Sequence, residues 1–372
     1  MNPAAALLAL LGVLLASPLP AVTPGPTDPV QSAYESMSPA QRVGQLFMVG
    51  VDTTGPTAAQ LARLRHLDVG NVILNGDSSA GRSAVSATTA GIRAALTTTG
   101  VAPFIATDQE GGEVQRLTGP GFSRIPTALD QGRLAPADLQ ADAGRWARQL
   151  ADAGVSLNLA PVADTVPAGH ARRNQPIGRY FREYGHTPGA VASHVVAVVQ
   201  GEVAHVAVTL KHFPGLGRAT GNTDITKHVT DPTTSTDRYL APFAQGIAAG
   251  APFVMVSLAT YPNIDPAHPA CFSATVMDTM LRQNLGFGGV VISDSFHAKA
   301  VRGIAPSTAA IRYFRAGGTM LLDTDVTPIH QMEQAVLAQA QAHPAFAAVI
   351  KAAVLDVLQA KSAAGLLTTV QP

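Results

Sequence analysis

Short apolar runs alternate along the chain with longer segments in which apolar residues recur at helical spacing. The short runs are rich in Val, Ile and Leu, which is typical of parallel strands buried on both faces. Ser38 and Pro39 predict the start of a short helix ahead of the first strand, with Ser38 as its cap. We predict eight strands, the first within 43–50 and the others at 71–75, 103–107, 156–161, 206–210, 253–257, 290–293 and 319–322. The other predicted helices lie at 58–67, 83–98, 137–153, 186–203, 237–249, 274–285, 307–316 and 329–365.

This alternation predicts an α/β fold, a single-domain (β/α)8 TIM barrel. An open doubly wound sheet is the alternative, but no G-x-G-x-x-G follows the first strand, which disfavours a dinucleotide-binding version. In a barrel, functional side chains follow the strands at their carboxyl ends. Polar groups stand at these places after the third, fourth, fifth and seventh predicted strands, namely at 108–110, 164, 211–212 and 294.

The first 22 residues predict a secretory signal peptide, because the apolar run 4–16 is too short to span a bilayer and is followed by small residues and prolines. The Thr- and Pro-rich stretch 23–30 is expected to be a tether, and 31–372 the barrel domain. We therefore expect a secreted, extracytoplasmic protein. Its single cysteine, Cys271, does not follow the apolar run, so we expect no lipid attachment, no stable membrane anchor and no disulfide framework.

The charges of the chain are balanced, with 25 Lys and Arg against 25 Asp and Glu. This balance, without a long run of like charges, argues against a nucleic-acid partner and against a polybasic membrane patch. No second linker and no internal repeat follow residue 30. We expect one catalytic domain and a monomer.

Asp294 is the first acidic residue after the apolar run 290–293. A carboxylate at a barrel mouth can serve as nucleophile, base or metal ligand. Lys211 and several arginines at the same end disfavour a metal ion and suit the polar groups of a ligand. An acetal carbon needs an anionic group on one face and a proton donor on the other. The set therefore predicts a carbohydrate substrate, and no metal or organic cofactor.

Several segments resemble, in order, those of glycoside hydrolase family 3, specifically its single-domain, NagZ-type β-N-acetylglucosaminidases. They extend over almost the whole predicted mature chain. Together they are specific, although each alone is not. The segments are VGQLFMVG (43–50), DQEGGEVQRL (108–117), NLAPVAD (158–164), IGRYF (177–181), KHFPGLG (211–217), GFGGVVISDSF (286–296) and, more weakly, AGGTMLL (316–322).

The resemblance implies a retaining glycosidase in which Asp294 is the nucleophile. It also implies that four residues at matching positions bind the sugar that is to be released. Arg116, at the end of the DQEGG segment, either shapes this pocket or forms a structural ion pair, and Glu110 and Asp164 orient other groups. The four sugar-binding residues are Asp108, Arg179, Lys211 and His212.

The loop after the fifth predicted strand departs from the family pattern, in which a histidine of an Asp-Ser-His triplet is the acid/base. Leu216 replaces the first histidine of that loop, and the triplet falls, without gaps, on 222–224. Asp224 therefore occupies the acid/base position. His228 is the alternative, and it would need a shifted loop to reach the site.

These observations predict a retaining exo-β-N-acetylglucosaminidase that removes β-linked N-acetylhexosamine from the non-reducing ends of peptidoglycan (cell-wall) or chitin-type fragments. One alternative is a non-catalytic sugar-binding barrel, which the altered loop would permit but the presence of Asp294 disfavours. Another is a glycosidase or phosphorylase of the same family with a different sugar specificity. In the phosphorylase, phosphate attacks the intermediate in place of water.

Overall fold

Within residues 28–368, which the computed structural model describes, eight parallel strands form one sheet that closes on itself. The sheet order is β7-β6-β5-β4-β3-β2-β1-β8, and a parallel bridge between Ile292 and Met320 joins its two ends. The predicted (β/α)8 barrel is thereby confirmed. The strands are β1 (Phe47–Asp52), β2 (Asn71–Asn75), β3 (Phe104–Thr107), β4 (Leu157–Asn158), β5 (Ala207–Phe213), β6 (Phe253–Val256), β7 (Val290–Ser293) and β8 (Leu321–Asp323).

Helices surround the sheet and connect its strands. Ser38 caps the second of them as predicted, since its side chain accepts from Gln41 N and the Gln41 side chain accepts from Ser38 N. No helix among residues 28–368 is long and apolar enough to cross a membrane. The helices are α1 (Pro29–Ser36), α2 (Pro39–Gly44), α3 (Ala58–His66), α4 (Arg82–Leu96), α5 (Ala128–Gln131), α6 (Pro136–Asp152), α7 (Pro188–Glu202), α8 (Ala241–Ala248), a π-helix (Thr275–Asn284), α9 (Pro306–Arg315), α10 (Ile329–Ala342) and α11 (Pro344–Ala363).

The core occupies the barrel interior and the layer between strands and helices. Phe104 of β3 and Phe253 of β6 meet edge to face across the interior, with ring centroids 5.2 Å apart. At the amino-terminal end, the buried Lys361 of α11 donates to Gln45 Oε1 at 2.6 Å and to Gly70 O at 2.9 Å. These groups fill the interior and close its amino-terminal end. The open space therefore lies at the carboxyl ends of the strands.

Two predicted boundaries are wrong for reasons that affect the site or the ends of the domain. Strand β5 continues to Phe213, so Lys211 and His212 belong to the strand instead of following it. The predicted helix 329–365 is two helices, because Pro344 disfavours helical dihedrals at the residue before it and His343 is extended.

The N-terminal limit of the domain also differs from the prediction. Helix α1 begins at Pro29, where the Asp28 side chain accepts from Val30 N, and Val30 is buried. The last two residues of the predicted tether 23–30 are therefore part of the fold. The predicted signal peptide 1–22 and the rest of the tether up to residue 27 lie outside the described residues.

Candidate active site

A cavity of about 490 Å³ opens at the carboxyl ends of the strands. Four of the five residues predicted to converge there do so, namely Asp108, Lys211, His212 and Asp294. They come from the ends of β3, β5 and β7, which are far apart in sequence. The other polar lining residues are Glu113, Arg116, Tyr180, Arg182, Asn222, Thr223, Asp224, Ser295, His297 and Thr324.

Charged side chains pair with one another on the floor of the cavity. Lys211 Nζ lies 2.6 Å from Asp108 Oδ1 and 2.6 Å from Glu110 Oε1. Arg182 forks onto the same glutamate, with Nε 2.8 Å from Oε2 and Nη2 2.7 Å from Oε1. Burial alone would raise the pKa of Glu110, but the charges of Arg182 and Lys211 lower it well below its usual range. The floor therefore presents cationic donors that a carboxylate beneath them holds in place.

Asp164 orients the imidazole of His212. This fully buried carboxylate lies 2.8 Å from His212 Nδ1, and it also accepts from Leu216 N at 2.7 Å. Because a carboxylate only accepts hydrogen bonds, Nδ1 carries the hydrogen and Nε2 is left for a ligand. Asp164 and Glu110 thus orient neighbouring groups, which is the role the sequence predicted for them.

Asp294 stands directly after β7 and is fixed by main-chain contacts. Its N–H donates to Val256 O at 3.1 Å, and its Oδ1 accepts from Ser295 N at 2.8 Å. One carboxylate oxygen is therefore held and the group faces the cavity. Within the described part of the chain, no set of three His, Cys, Asp or Glu side chains is arranged to hold a metal ion.

Asp224 reaches the same cavity from the loop after β5. Its carbonyl accepts from Lys299 N at 3.0 Å, and the Thr223 carbonyl accepts from Ala300 N at 3.0 Å. The loop carrying Asp224 is thereby docked on the loop that begins with Asp294. Although the Asp224 side chain is open to the cavity, the protein around it desolvates the carboxyl. This desolvation, reinforced by the charge of Asp294, raises its pKa.

A carboxyl group of raised pKa near a second carboxylate is the arrangement that separates an acid from a nucleophile. The charges of His212 and Arg182 oppose the rise in the pKa of Asp224. Asp224 can therefore hold a proton to higher pH than an ordinary aspartate. It lines the same cavity as Asp294.

His228 lies outside the cavity. It is exposed, with a left-handed φ of +54°. The chain turns back after Asn222, whose carbonyl accepts from Thr226 N at 2.9 Å, and it then pairs with Thr260, whose N–H donates to Val229 O at 2.9 Å. These bonds flank His228, which is not among the residues that line the cavity.

Arg179 does not converge with the other predicted residues, so that prediction is wrong. It lies exposed on a 3-10 turn, and its guanidinium is 6.0 Å from the Tyr180 ring centroid. Arg182 takes the place in the cavity instead. Asn174 Oδ1 shapes the turn by accepting from Ile177 N and Gly178 N. A signal for Arg182 was present: the buried Glu110 needed a cationic partner, and this turn offers a second arginine.

Arg116 was predicted either to shape the pocket or to form a structural ion pair, and it does both. Its Nη1 lies 2.9 Å from Asp77 Oδ1 in an ion pair, and the side chain also lines the cavity. Because its partner is largely exposed, the ion pair contributes about 0–1 kcal/mol to stability.

Comparisons with known proteins agree with this geometry. The model of the glycosyl hydrolase family 3 N-terminal domain matches residues 40–360. A solved β-N-acetylhexosaminidase from Beutenbergia cavernae DSM 12333 is 48% identical with a TM-score of 0.85, over 88% of this chain and 99% of that one. A β-hexosaminidase of Xylella fastidiosa (strain M23) is 37% identical over 272 residues, which are 70% of this chain and 77% of the relative. A β-hexosaminidase of Stenotrophomonas maltophilia (strain R551-3) is 36% identical over 263 residues, 67% of this chain and 74% of that protein.

Proposed function

This chain belongs to glycoside hydrolase family 3, and on that premise we propose that it is a retaining exo-β-N-acetylglucosaminidase. It would release β-linked N-acetylhexosamine from the non-reducing ends of oligosaccharides. The observation that carries the proposal is the pair of carboxyl groups, Asp294 and Asp224, on one cavity above a floor of fixed donors. The printed names of its relatives, β-hexosaminidase and β-N-acetylhexosaminidase, support the choice of sugar.

The floor would bind the sugar that is to be released. Lys211 and Arg182 donate to ring hydroxyls, Asp108 accepts from them, and His212 offers Nε2. These groups are already positioned by Glu110 and Asp164, so little ordering is needed when the sugar binds. Fixed donors of this kind stabilise the charge that develops in a transition state better than mobile ones do.

The reaction would proceed in two steps. The free oxygen of Asp294 attacks the anomeric carbon while the glycosidic C–O bond breaks, and Asp224 gives its proton to the leaving oxygen. In the second step Asp224 takes a proton from water, the water oxygen bonds to the anomeric carbon, and the bond to Asp294 breaks. Two displacements on one carbon retain the β configuration.

We also propose that the protein acts outside the cytoplasm, on peptidoglycan or chitin-type fragments. The support is the apolar segment 4–16, which is followed by small residues and prolines. N-terminal sequencing of protein recovered from the medium tests this. We expect a mature N-terminus between 17 and 28, and intact cytosolic protein that begins at Met1 would contradict it.

Aryl β-glycosides that differ only at C2 test the activity. We expect the N-acetylamino compound to be cleaved at least about tenfold faster than the 2-hydroxyl compound, with β-anomeric product seen first by NMR. Release of the α-anomer first would contradict retention. Sugar binding without turnover would favour the non-catalytic barrel, and a sugar 1-phosphate formed in phosphate buffer would favour the phosphorylase. Asp294→Ala, which lacks the proposed nucleophile, serves as the inactive control in each assay.

A further inference from the structure

Exposed apolar side chains stand on the two loops that frame the cavity mouth. Large apolar side chains are mostly buried in residues 28–368, and five of them are exposed: Tyr180, Phe181, Val203, Ile225 and Val349. Tyr180, which is 40% exposed, lines the cavity itself. Ile225, which is 65% exposed, directly follows Asp224. Single exposed apolar residues are normal on a surface, but Tyr180 also lines the cavity that Asp224 and Asp294 line.

The backbone that carries Tyr180 is held from both sides. Arg182 Nη1 donates to Pro176 O at 2.8 Å, so the turn closes around the guanidinium that pairs with Glu110. Asn174 Nδ2 donates to Leu216 O at 2.7 Å and to Ala219 O at 2.8 Å. These bonds tie the turn to the loop that carries Asp224. The phenol ring is therefore placed at the mouth by a rigid support.

In the proposed mechanism the first sugar occupies the floor of the cavity, so the leaving group must bind at its mouth. The paired charges of the floor account for the first sugar, and Asp224 must contact the oxygen that links it to the second. The second sugar would consequently occupy the rest of the cavity, which Tyr180 also lines. A pyranose presents a face of C–H bonds, and an aromatic ring with an open face buries such a surface favourably.

We propose that Tyr180 stacks against the sugar ring on the leaving-group side and so makes the enzyme selective for a pyranose as leaving group. The proposal rests on the proposed glycosidase function and deepens it. Arg179 acquires a role in this arrangement, since its guanidinium lies 6.0 Å from the Tyr180 ring centroid and outside the cavity. The shared chemistry of the ligand is a β-linked hexopyranose, as in both chitin-type and peptidoglycan-type fragments.

Two substrates with equally poor leaving groups test the proposal, because both need the proton donor and only one offers a second ring. They are N,N′-diacetylchitobiose and methyl β-N-acetylglucosaminide. In Tyr180→Ala we expect kcat/KM for the disaccharide to fall about five- to tenfold and that for the methyl glycoside to change less than about twofold. Tyr180→Phe keeps the ring and should restore the disaccharide rate.

Phe181→Ala is the matched control, since this neighbouring aromatic is exposed but does not line the cavity. An equal loss on both substrates in Tyr180→Ala would overturn the proposal, as would an unchanged disaccharide rate. If the unaltered enzyme cleaves neither substrate, the proposed function fails instead, so the two failures are distinguishable. The loss of kcat/KM in Tyr180→Ala is also measured on a GlcNAc–anhydromuramic acid disaccharide. The larger of the two losses shows whether Tyr180 favours chitin-type or peptidoglycan-type fragments.

Discussion

The floor and the rim of the cavity differ in how their side chains are held. On the floor, Asp108, Glu110, Arg182 and Lys211 are joined by contacts of 2.6–2.8 Å. At the rim, Asp224 has its main chain fixed and its carboxyl open to the cavity. Ion pairing makes each floor residue depend on its neighbours, whereas the Asp224 side chain can be exchanged without breaking an ion pair. Under the proposed mechanism, recognition of the sugar would therefore depend on several floor residues together, whereas proton donation would depend on Asp224 alone.

Loss of the nucleophile gives the largest effect. Asp294→Ala should lower turnover by about 10⁴–10⁶-fold, because no other group can form the covalent intermediate. A 2-deoxy-2-fluoro glycoside should label Asp294 in the unaltered enzyme, as detected by peptide mass spectrometry. Ser295→Ala, which keeps the main-chain N–H that contacts Asp294, serves as control. Labelling of a different carboxylate would refute the assignment.

Loss of the rim acid comes next, and its size depends on the leaving group. Asp224→Ala should slow natural glycosides by about 10²–10⁴-fold, but should cost much less in the glycosylation of nitrophenyl substrates, whose leaving group departs without a proton. Azide should partly rescue turnover, since this anion attacks the intermediate without a base. His228→Ala should show neither pattern. The opposite result for the two variants would show that the acid/base was assigned to the wrong residue.

A pair of arginine substitutions tests the floor directly. Arg182→Ala should lower kcat/KM by about 10²–10³-fold, because it removes a fixed donor from the cavity and leaves Glu110 with one cationic partner. Arg179→Ala, on the same turn but outside the cavity, should change the rate for the methyl glycoside less than about twofold. Steady-state kinetics of both variants on that substrate decides. Equal losses would contradict the placement of these side chains.

Glu110→Gln tests whether the floor residues depend on one another, because it should lower the free energy of unfolding. Breaking a buried pair costs about 3–5 kcal/mol, measured as the free energy of unfolding in urea at pH 7. Since the folded pKa of Glu110 is depressed, its contribution is complete above the unfolded value of about 4.3 and is lost as pH falls below it. The unaltered protein should therefore lose stability on acidification more steeply than Glu110→Gln. Parallel curves would contradict this prediction.

The pH–rate profile provides the smallest and most specific test of the rim. Asp224 must be protonated in the first step, so kcat/KM falls as pH rises through its pKa. Burial and the charge of Asp294 raise that pKa, which places the basic limb above the range of an ordinary aspartate. On N,N′-diacetylchitobiose, whose leaving group needs the proton, the unaltered enzyme should show this limb and the residual activity of Asp224→Ala should not. A retained limb would assign it to another group.

The barrel was predictable because it rests on local pattern. Strands β2 and β7 have the predicted bounds, and Asp294 follows from the end of one of them. Arg182 was missed because its position depends on Asn174, whose side chain bonds to residues about forty positions further along. Arg179 matched the family segment by letter, yet the turn faces it outward. Contacts between distant loops decide such choices, and no local spacing encodes them.

The loop that carries Asp224 is docked through the N–H groups of Lys299 and Ala300, and main-chain bonds do not depend on the side chains of the residues they join. A change at position 224 therefore leaves the docking intact, and a histidine there would be held by the same two contacts. In evolutionary terms, the proposed proton donor can change identity while the backbone that carries it keeps the same contacts. A lineage could move from imidazole to carboxyl chemistry in one substitution, without first rebuilding the loop.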